Sequence, residues 1–261
     1  MTTTTANHEA QSNPVAFFVS DLHLQIDMPK TTAAFLAFLK LHASDAQQLY
    51  LLGDIFEYWA GDDDLHSPFL QKIVAALREV SDCGVELFWM AGNRDFLVGQ
   101  EFARTTGATL LADPHCLTYA GHRYVLTHGD QLCTDDVSYQ QFRSMVRKPD
   151  WQSAFLARSL EERKNIIATM REHSQQHQRH QPTAITDVNQ AAVNQFFVDQ
   201  NSTTIIHGHT HRPAEHHVGN TTRTVLSDWD QDNAPLRGDW LALLPDGCLQ
   251  RYEWRGSAAK E

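Results

Sequence analysis

Along this chain, short apolar runs end repeatedly in small polar clusters. Val15–Val19 runs into Ser20-Asp21-Leu22-His23, Leu49–Leu52 into Gly53-Asp54, and Val85–Met90 into Gly92-Asn93-Arg94-Asp95. Tyr124–Thr127 leads to His128-Gly129-Asp130, and Thr203–Ile206 to His207-Gly208-His209-Thr210-His211. Runs of this length, rich in β-branched and aromatic residues and bounded by Gly and Asp, predict buried strands. Between the first three, Pro29 to His42 spaces Phe35, Leu36 and Leu39 helically, as Pro68 to Val80 does with Leu70, Ile73, Val74 and Leu77. Repeated strand, loop and helix predict an α/β architecture with polar clusters at the carboxyl ends of strands, the edge where sites form in open sheets. Further on, Thr222–Leu226, Trp240–Leu244 and Cys248–Trp254 predict antiparallel strands closing a second sheet.

Residues 135–180 break that rhythm and predict helices, with Phe142, Met145, Val146, Leu156, Leu160, Ile167 and Met170 at three- and four-residue steps. Residues 141–180 carry eight Lys or Arg against four Asp or Glu, inside a chain whose net charge is −11. Two readings stand open: a solvated helical hairpin packed on the core, or a cap that presents cations and apolar side chains to an anionic amphiphile. The expected organisation is a flexible stretch over 1–14, one domain over 15–261, and a helical insertion over 135–180 within it.

Composition narrows the setting. With 42% hydrophobic residues in 261, the chain can bury a sizeable core. Its acidity argues against a nucleic-acid partner, whose phosphates need a basic face. Cys83, Cys116, Cys133 and Cys248 form no C-x-x-C pair and predict reduced thiols in a cytoplasmic setting. Met1 to Ala10 is polar and does not read as a signal peptide, and no apolar run approaches the roughly 18 residues that span a bilayer. Nothing in the sequence points to an obligate protein partner.

Taken singly, Asp-x-His, Gly-Asp or Gly-Asn-x-Asp is ordinary turn chemistry. Five such elements in order, each after a predicted buried strand, are not. Together they offer Asp21, His23, Asp54, Asn93, His128, His209 and His211. Carboxylate, imidazole and amide oxygen donors suit two divalent ions such as Mn²⁺, Fe²⁺ or Zn²⁺ rather than a thiolate site. Such a pair acidifies water near neutral pH and can clamp the attacking and leaving oxygens of an in-line displacement. Two carboxylates against two dications leave a positive centre in an acidic protein, which attracts a diphosphate.

The ordered set Asp-x-His, Gly-Asp, Gly-Asn-x-Asp, His-Gly and Gly-His-x-His resembles the calcineurin-like metallophosphoesterase superfamily. That resemblance implies an α/β (α+β) fold of two packed mixed β-sheets flanked by helices. It also implies that Asp21, His23 and His211 hold one ion, Asn93, His128 and His209 the other, and Asp54 both. His207 precedes the matching motif and is expected at a strand end, outside the ligand set.

Many members of that superfamily carry a histidine, taken as a proton donor or substrate orienter, where this chain has Arg94. Arginine stays charged to above about pH 12 and cannot serve as an acid, but it can hold a phosphate bidentately. A phosphate monoester leaving from a diphosphate needs no proton, its second pKa being only about 6. Arg94 therefore favours pyrophosphate bonds over phosphodiesters, unless it is a structural arginine paired with Asp95. The longer strings Ser20-Asp21-Leu22-His23-Leu24, Gly53-Asp54-Ile55-Phe56-Glu57-Tyr58-Trp59, Gly92-Asn93-Arg94-Asp95-Phe96 and Gly208-His209-Thr210-His211-Arg212-Pro213 are similar to the UDP-2,3-diacylglucosamine pyrophosphatase family of Gram-negative lipid A biosynthesis. The likeness implies cleavage of UDP-2,3-diacylglucosamine with Mn²⁺, a helical cap sheltering the acyl chains, and peripheral docking of that cap on the cytoplasmic face of the inner membrane. It implies catalytic roles for Asn93 and Arg94, and substrate contacts from these two, Asp136, Ser174 and His209. Further contacts are expected at Gln178 and Gln181, although relatives often have a lysine near the second. The competing functions on the same scaffold are a nucleotide phosphodiesterase, a dinucleoside polyphosphate hydrolase or a nuclease.

Overall fold

The structure, a computed structural model, describes residues 13–178 and 187–256, without side-chain detail for 172–178. The predicted buried strands form two sheets laid face to face. One runs in the order β11 (Leu249–Glu253), β10 (Asp239–Leu243), β1 (Ala16–Val19), β2 (Gln48–Leu52), β3 (Glu86–Met90) and β4 (Thr109–Leu111). The other runs β5 (His115–Tyr119), β6 (His122–Thr127), β7 (Thr204–His207), β9 (Thr221–Val225) and β8 (Ala214–Val218). β1 to β4 are mutually parallel, as are β6, β7 and β9, so both sheets are mixed.

Successive side chains on a strand point to opposite faces, and here both faces are dry. Phe18, Tyr50, Leu52 and Met90 meet Tyr124, Leu126 and Ile206 between the sheets. Their neighbours Phe17, Val19, Leu49, Leu51, Leu87 and Trp89 face outward under α1 (Pro29–Leu41), α2 (Pro68–Asp82) and α3 (Gln100–Thr106). On the far side, Val125 and Ile205 pack on Val193, Phe196 and Phe197 of α7 (Gln190–Asp199). The result is four layers, helix, sheet, sheet and helix, with uninterrupted apolar strands at the centre.

The late strands correct one expectation. Only β9 joins the second sheet, and it lies parallel to β7. β10 pairs antiparallel with β1, and β11 with β10, so both extend the first sheet instead. Among the described residues no helix is long and apolar enough to cross a membrane.

Among the described residues between the second sheet's β6 and α7 lie three α-helices, α4 (Val137–Val146), α5 (Pro149–Leu156) and α6 (Leu160–Gln178). Their cations largely face the protein, not outward. Arg143 donates to Asp130 Oδ2 at 2.8 Å, and Arg147 to Gly92 O at 2.8 Å. Buried Arg163 pairs with Asp63 and the Ala60 carbonyl, Lys164 reaches Asp64 at 2.7 Å, and Arg171 reaches Glu57 at 2.8 Å. Half-buried charges need partners, and the acidic loops beneath supply them. Much of the basic character of this segment is thus spent on docking it, leaving Lys148 and Arg158 exposed.

Candidate metal centre

The seven expected side chains converge where the carboxyl ends of both sheets meet. Asp21, Asp54 and Asn93 follow the adjacent parallel strands β1, β2 and β3, while His128, His209 and His211 follow the adjacent parallel strands β6 and β7. Backbone bonds tie these loops to one another, Asp21 N donating to Gly53 O at 3.0 Å and Gly208 N to His128 O at 3.0 Å. Asp21, His23, Asp54, His209 and His211 all have φ between 48° and 67°. This left-handed region is uncommon for residues with a side chain, and Asp, Asn and His are the types that enter it most readily.

The motif glycines make room for the carboxylates. A Cβ on Gly92 would stand 2.1 Å from Asp54 Oδ1, and one on Gly208 would stand 2.1 Å from Asp21 Oδ2. No side chain fits at either point, so each glycine is dictated by the Asp of a neighbouring loop.

Two groups of donors result, Asp21 with His23 and His211, and Asp54 with His128 and His209. In the first, His23 Nε2 and His211 Nε2 face each other at 3.2 Å, and Asp21 Oδ1 lies 3.5 Å from His211 Nε2. Asp21 Oδ1 is buried without a hydrogen-bond partner, which costs about 1–3 kcal/mol unless something positive lies beside it. In the second, Asn93 Oδ1 sits 2.9 Å from His128 Nε2 and 2.8 Å from His209 Nδ1. Asp54 Oδ2 stands between the groups, 4.0 Å from His23 Nε2 and 3.7 Å from His128 Nε2. Oxygen and imidazole donors converging on two points, one of them an orphaned buried carboxylate oxygen, fit a pair of divalent cations.

The ring orientations are fixed from behind. His128 Nδ1 bonds Leu52 O at 3.0 Å, and His23 Nδ1 bonds Glu57 Oε2 at 2.8 Å, so in each the Nε2 is turned to the centre. His211 Nδ1 lies 3.7 Å from Asp228 Oδ2, itself held by Arg237. Glu57 and Asp228 are functional candidates that the motif reading passed over. Their signal is present, since each is an acidic residue closely following a strand end, but only the fold brings them to the histidines.

The field is strongly negative. Burial pushes the Asp21 carboxyl up, yet His211, His128 and His23 outweigh it and hold it well below the usual carboxylate range. Burial pushes the His128 imidazole down, yet Asp54, Asp21 and Asp130 raise it to about 9. His209 moves the other way, to about 4, through burial and the neighbouring charge of His128. A site that pulls a proton so firmly onto one histidine is a site that favours a cation.

Arg94 is not paired with Asp95. Both Asp95 oxygens take backbone N–H groups, Oδ1 from Gly92 at 2.8 Å and Asp54 at 3.3 Å, and Oδ2 from Ile55 at 2.9 Å and Phe56 at 3.4 Å. The Arg94 amide donates to Asp54 Oδ1 at 2.7 Å, while its Nε is buried without a partner. His207 lies outside both groups, accepting from Arg223 Nη1 at 3.0 Å and bonding Gly208 O through Nδ1. Asp136 caps α4 by accepting from Tyr139 N at 3.0 Å. Ser174 and Gln178 fall where α6 side chains are not described, and Gln181 lies outside the described residues.

The model of the calcineurin-like phosphoesterase family matches residues 16–213. A protein of Aromatoleum aromaticum named UDP-2,3-diacylglucosamine hydrolase is 46% identical over 86% of this chain and 93% of its own length. Proteins of the same name from Ralstonia nicotianae and Escherichia coli K12 are also 46% identical, over 91% and 84% of this chain and 91% and 93% of their own lengths. A solved archaeal phosphodiesterase covers 91% of the chain with a TM-score of 0.45 at 10% identity. The chain is therefore a hydrolase of the calcineurin-like phosphoesterase family, and it belongs with the relatives named UDP-2,3-diacylglucosamine hydrolases.

Proposed function

We propose that this chain hydrolyses the pyrophosphate bond of UDP-2,3-diacylglucosamine to UMP and 2,3-diacylglucosamine 1-phosphate, a step of lipid A biosynthesis. The observation that carries this reading is Arg94, whose backbone amide bonds Asp54 and whose side-chain charge acts on Glu57, while Asp95 is engaged by backbone N–H groups. The names of relatives 46% identical over most of their lengths supply the substrate.

In this reading Asp21, His23, Asp54, Asn93, His128, His209 and His211 would hold two Mn²⁺ ions, which would supply an acidified water and a counter-charge for the diphosphate. The chain's own residues do the rest. Arg94 and Asn93 hold and orient the phosphate at risk, the one bonded to uridine. Arg94 need not give up a proton, because a sugar phosphate leaves as an anion stable near neutral pH. Leu52 O and Glu57 keep His128 and His23 from turning away as charge shifts at the centre.

In the same reading the helical insertion serves as the cap for the acyl chains, and substrate binding is assigned to Asp136, Ser174, Gln178, Gln181 and His209. Exposed Val137, Met145 and Leu156, with Lys148 and Arg158, give that cap a surface for peripheral docking on the cytoplasmic face of the inner membrane. Hydrolysis of the diacylated UDP-sugar in ¹⁸O-water with Mn²⁺, followed by ³¹P NMR, tests the assignment. Label in UMP is expected. Label in the sugar phosphate would move the attack to the other phosphorus. Comparable turnover of bis-p-nitrophenyl phosphate would favour a general phosphodiesterase instead.

A further inference from the structure

One carboxylate in this molecule has two clients on opposite sides. Glu57 follows β2 and is 9% exposed. Its Oε2 lies 2.8 Å from Nδ1 of His23, whose Nε2 faces the metal centre. Its Oε1 lies 2.8 Å from Nη2 of Arg171, on helix α6 of the insertion. The same guanidinium reaches Gln25 Oε1 at 3.4 Å, two residues past His23, and its carbon stands 5.7 Å from the centre of the Tyr58 ring, next to Glu57. The chain of contacts is therefore Arg171, Glu57, His23, and it runs from the insertion into the donor group of Asp21, His23 and His211.

We propose that Arg171 is a positioning residue for His23, acting through Glu57, so that docking of α6 and retention of the ion on that side are coupled. This rests on the dinuclear reading above. A carboxylate shared between a guanidinium and an imidazole is fixed at both ends, whereas one bonded only to the imidazole can rotate into water. Fixing it sets the tilt of the His23 ring and keeps Nε2 aimed inward. Among the described residues no such tie runs from α6 to the partner group of Asp54, His128 and His209, in which the His128 ring is held by the Leu52 carbonyl. Coupling should therefore reach one ion and spare the other.

Lys164 supplies the control. It holds the same helix to Asp64 at 2.7 Å, in the loop that follows Glu57, without touching a donor histidine. Mn²⁺ binding by calorimetry and by electron paramagnetic resonance, on full-length protein without substrate, separates the possibilities. Wild type is expected to bind two ions and give a spin-coupled dimanganese spectrum. Arg171→Met and Glu57→Gln should each weaken one ion by about 10-fold or more, within the roughly 10–100-fold range for partners of ligating histidines, and show a six-line mononuclear signal at limiting metal. Arg171→Lys should recover most of that loss, and the Arg171→Met/Glu57→Gln double variant should lose less than the product of the singles. Lys164→Met should bind both ions as wild type does. Thermal unfolding identifies any variant that fails to fold, leaving Glu57→Gln and Arg171→Lys to decide. Two tightly bound ions in Arg171→Met, with only KM for the diacylated substrate raised, would overturn the proposal and make Arg171 a direct substrate contact. Equal weakening in Lys164→Met would overturn it as well. Fewer than two ions in wild type would strike the dinuclear reading itself.

Discussion

The two halves of the candidate metal centre are held by different means. The Asp54, Asn93, His128 and His209 half is sunk between the sheets, His128 being 0% exposed, and is oriented chiefly by main chain: Leu52 O behind His128, the Arg94 amide on Asp54. The Asp21, His23 and His211 half opens outward, the His211 side chain being 39% exposed, and its rings are oriented by carboxylates, Glu57 and Asp228. Main-chain groups belong to the sheet and cannot move without it. Carboxylates are mobile, chargeable and replaceable. One half is as rigid as the fold, while the other is adjustable by whatever touches its carboxylates.

The sharpest break is Asp54→Ala, which removes the group common to both halves. Loss of both ions and a fall in kcat/KM on the order of a thousandfold are expected, read by metal analysis and steady-state assay. A variant that kept both ions would end the idea of a shared carboxylate. Next, Gly92→Ala drives a methyl group against Asp54 Oδ1 in the rigid half, where nothing yields. A stability loss of about 1–3 kcal/mol in denaturant titration is expected, with reduced metal content. Asp228→Asn acts only on the adjustable half. One ion should weaken by about tenfold and the other stay, and equal weakening of both would erase the distinction between halves.

The mildest effect is one of pH. Burial pushes the Glu57 carboxyl up, but its hydrogen bond to His23 and the charges of Arg94, His23 and Arg171 outweigh it and bring it down to about 2 from an ordinary 4.5. A carboxylate held below its unfolded value adds stability that is complete above about pH 4.5 and is lost as pH falls toward 2. Urea midpoints measured across that window should fall less steeply for Glu57→Gln than for wild type.

The candidate donors are legible in sequence because each follows a predicted strand end, and Asp54, Asn93, His128 and His209 also stand beside a glycine; both marks are local. The glycines were legible as turn signals, but not as the space into which an Asp from another loop fits, since that is a relation between strands. The same limit explains the late strands. A period of two says which face of Asp239–Leu243 is apolar, and both faces are buried here, so nothing local states that its neighbour is β1. β8, with Glu215, His216 and His217 exposed at a sheet edge, has no apolar run to announce it. The charge excess of the insertion was countable, but its direction was not. Arg163 and Arg171 are as basic on paper as Lys148, yet Asp63 and Glu57 claim them.

The left-handed backbone at Asp21, His23, Asp54, His209 and His211 has a consequence for descent. A lineage that no longer needed its ions could drift at these positions to Asn or Gly, which accept that conformation at least as readily. The loops would keep their shape while the chemistry disappeared. The scaffold is thus preadapted to outlive its own catalysis, and a relative with Asn or Gly at these points should be suspected of binding without cutting.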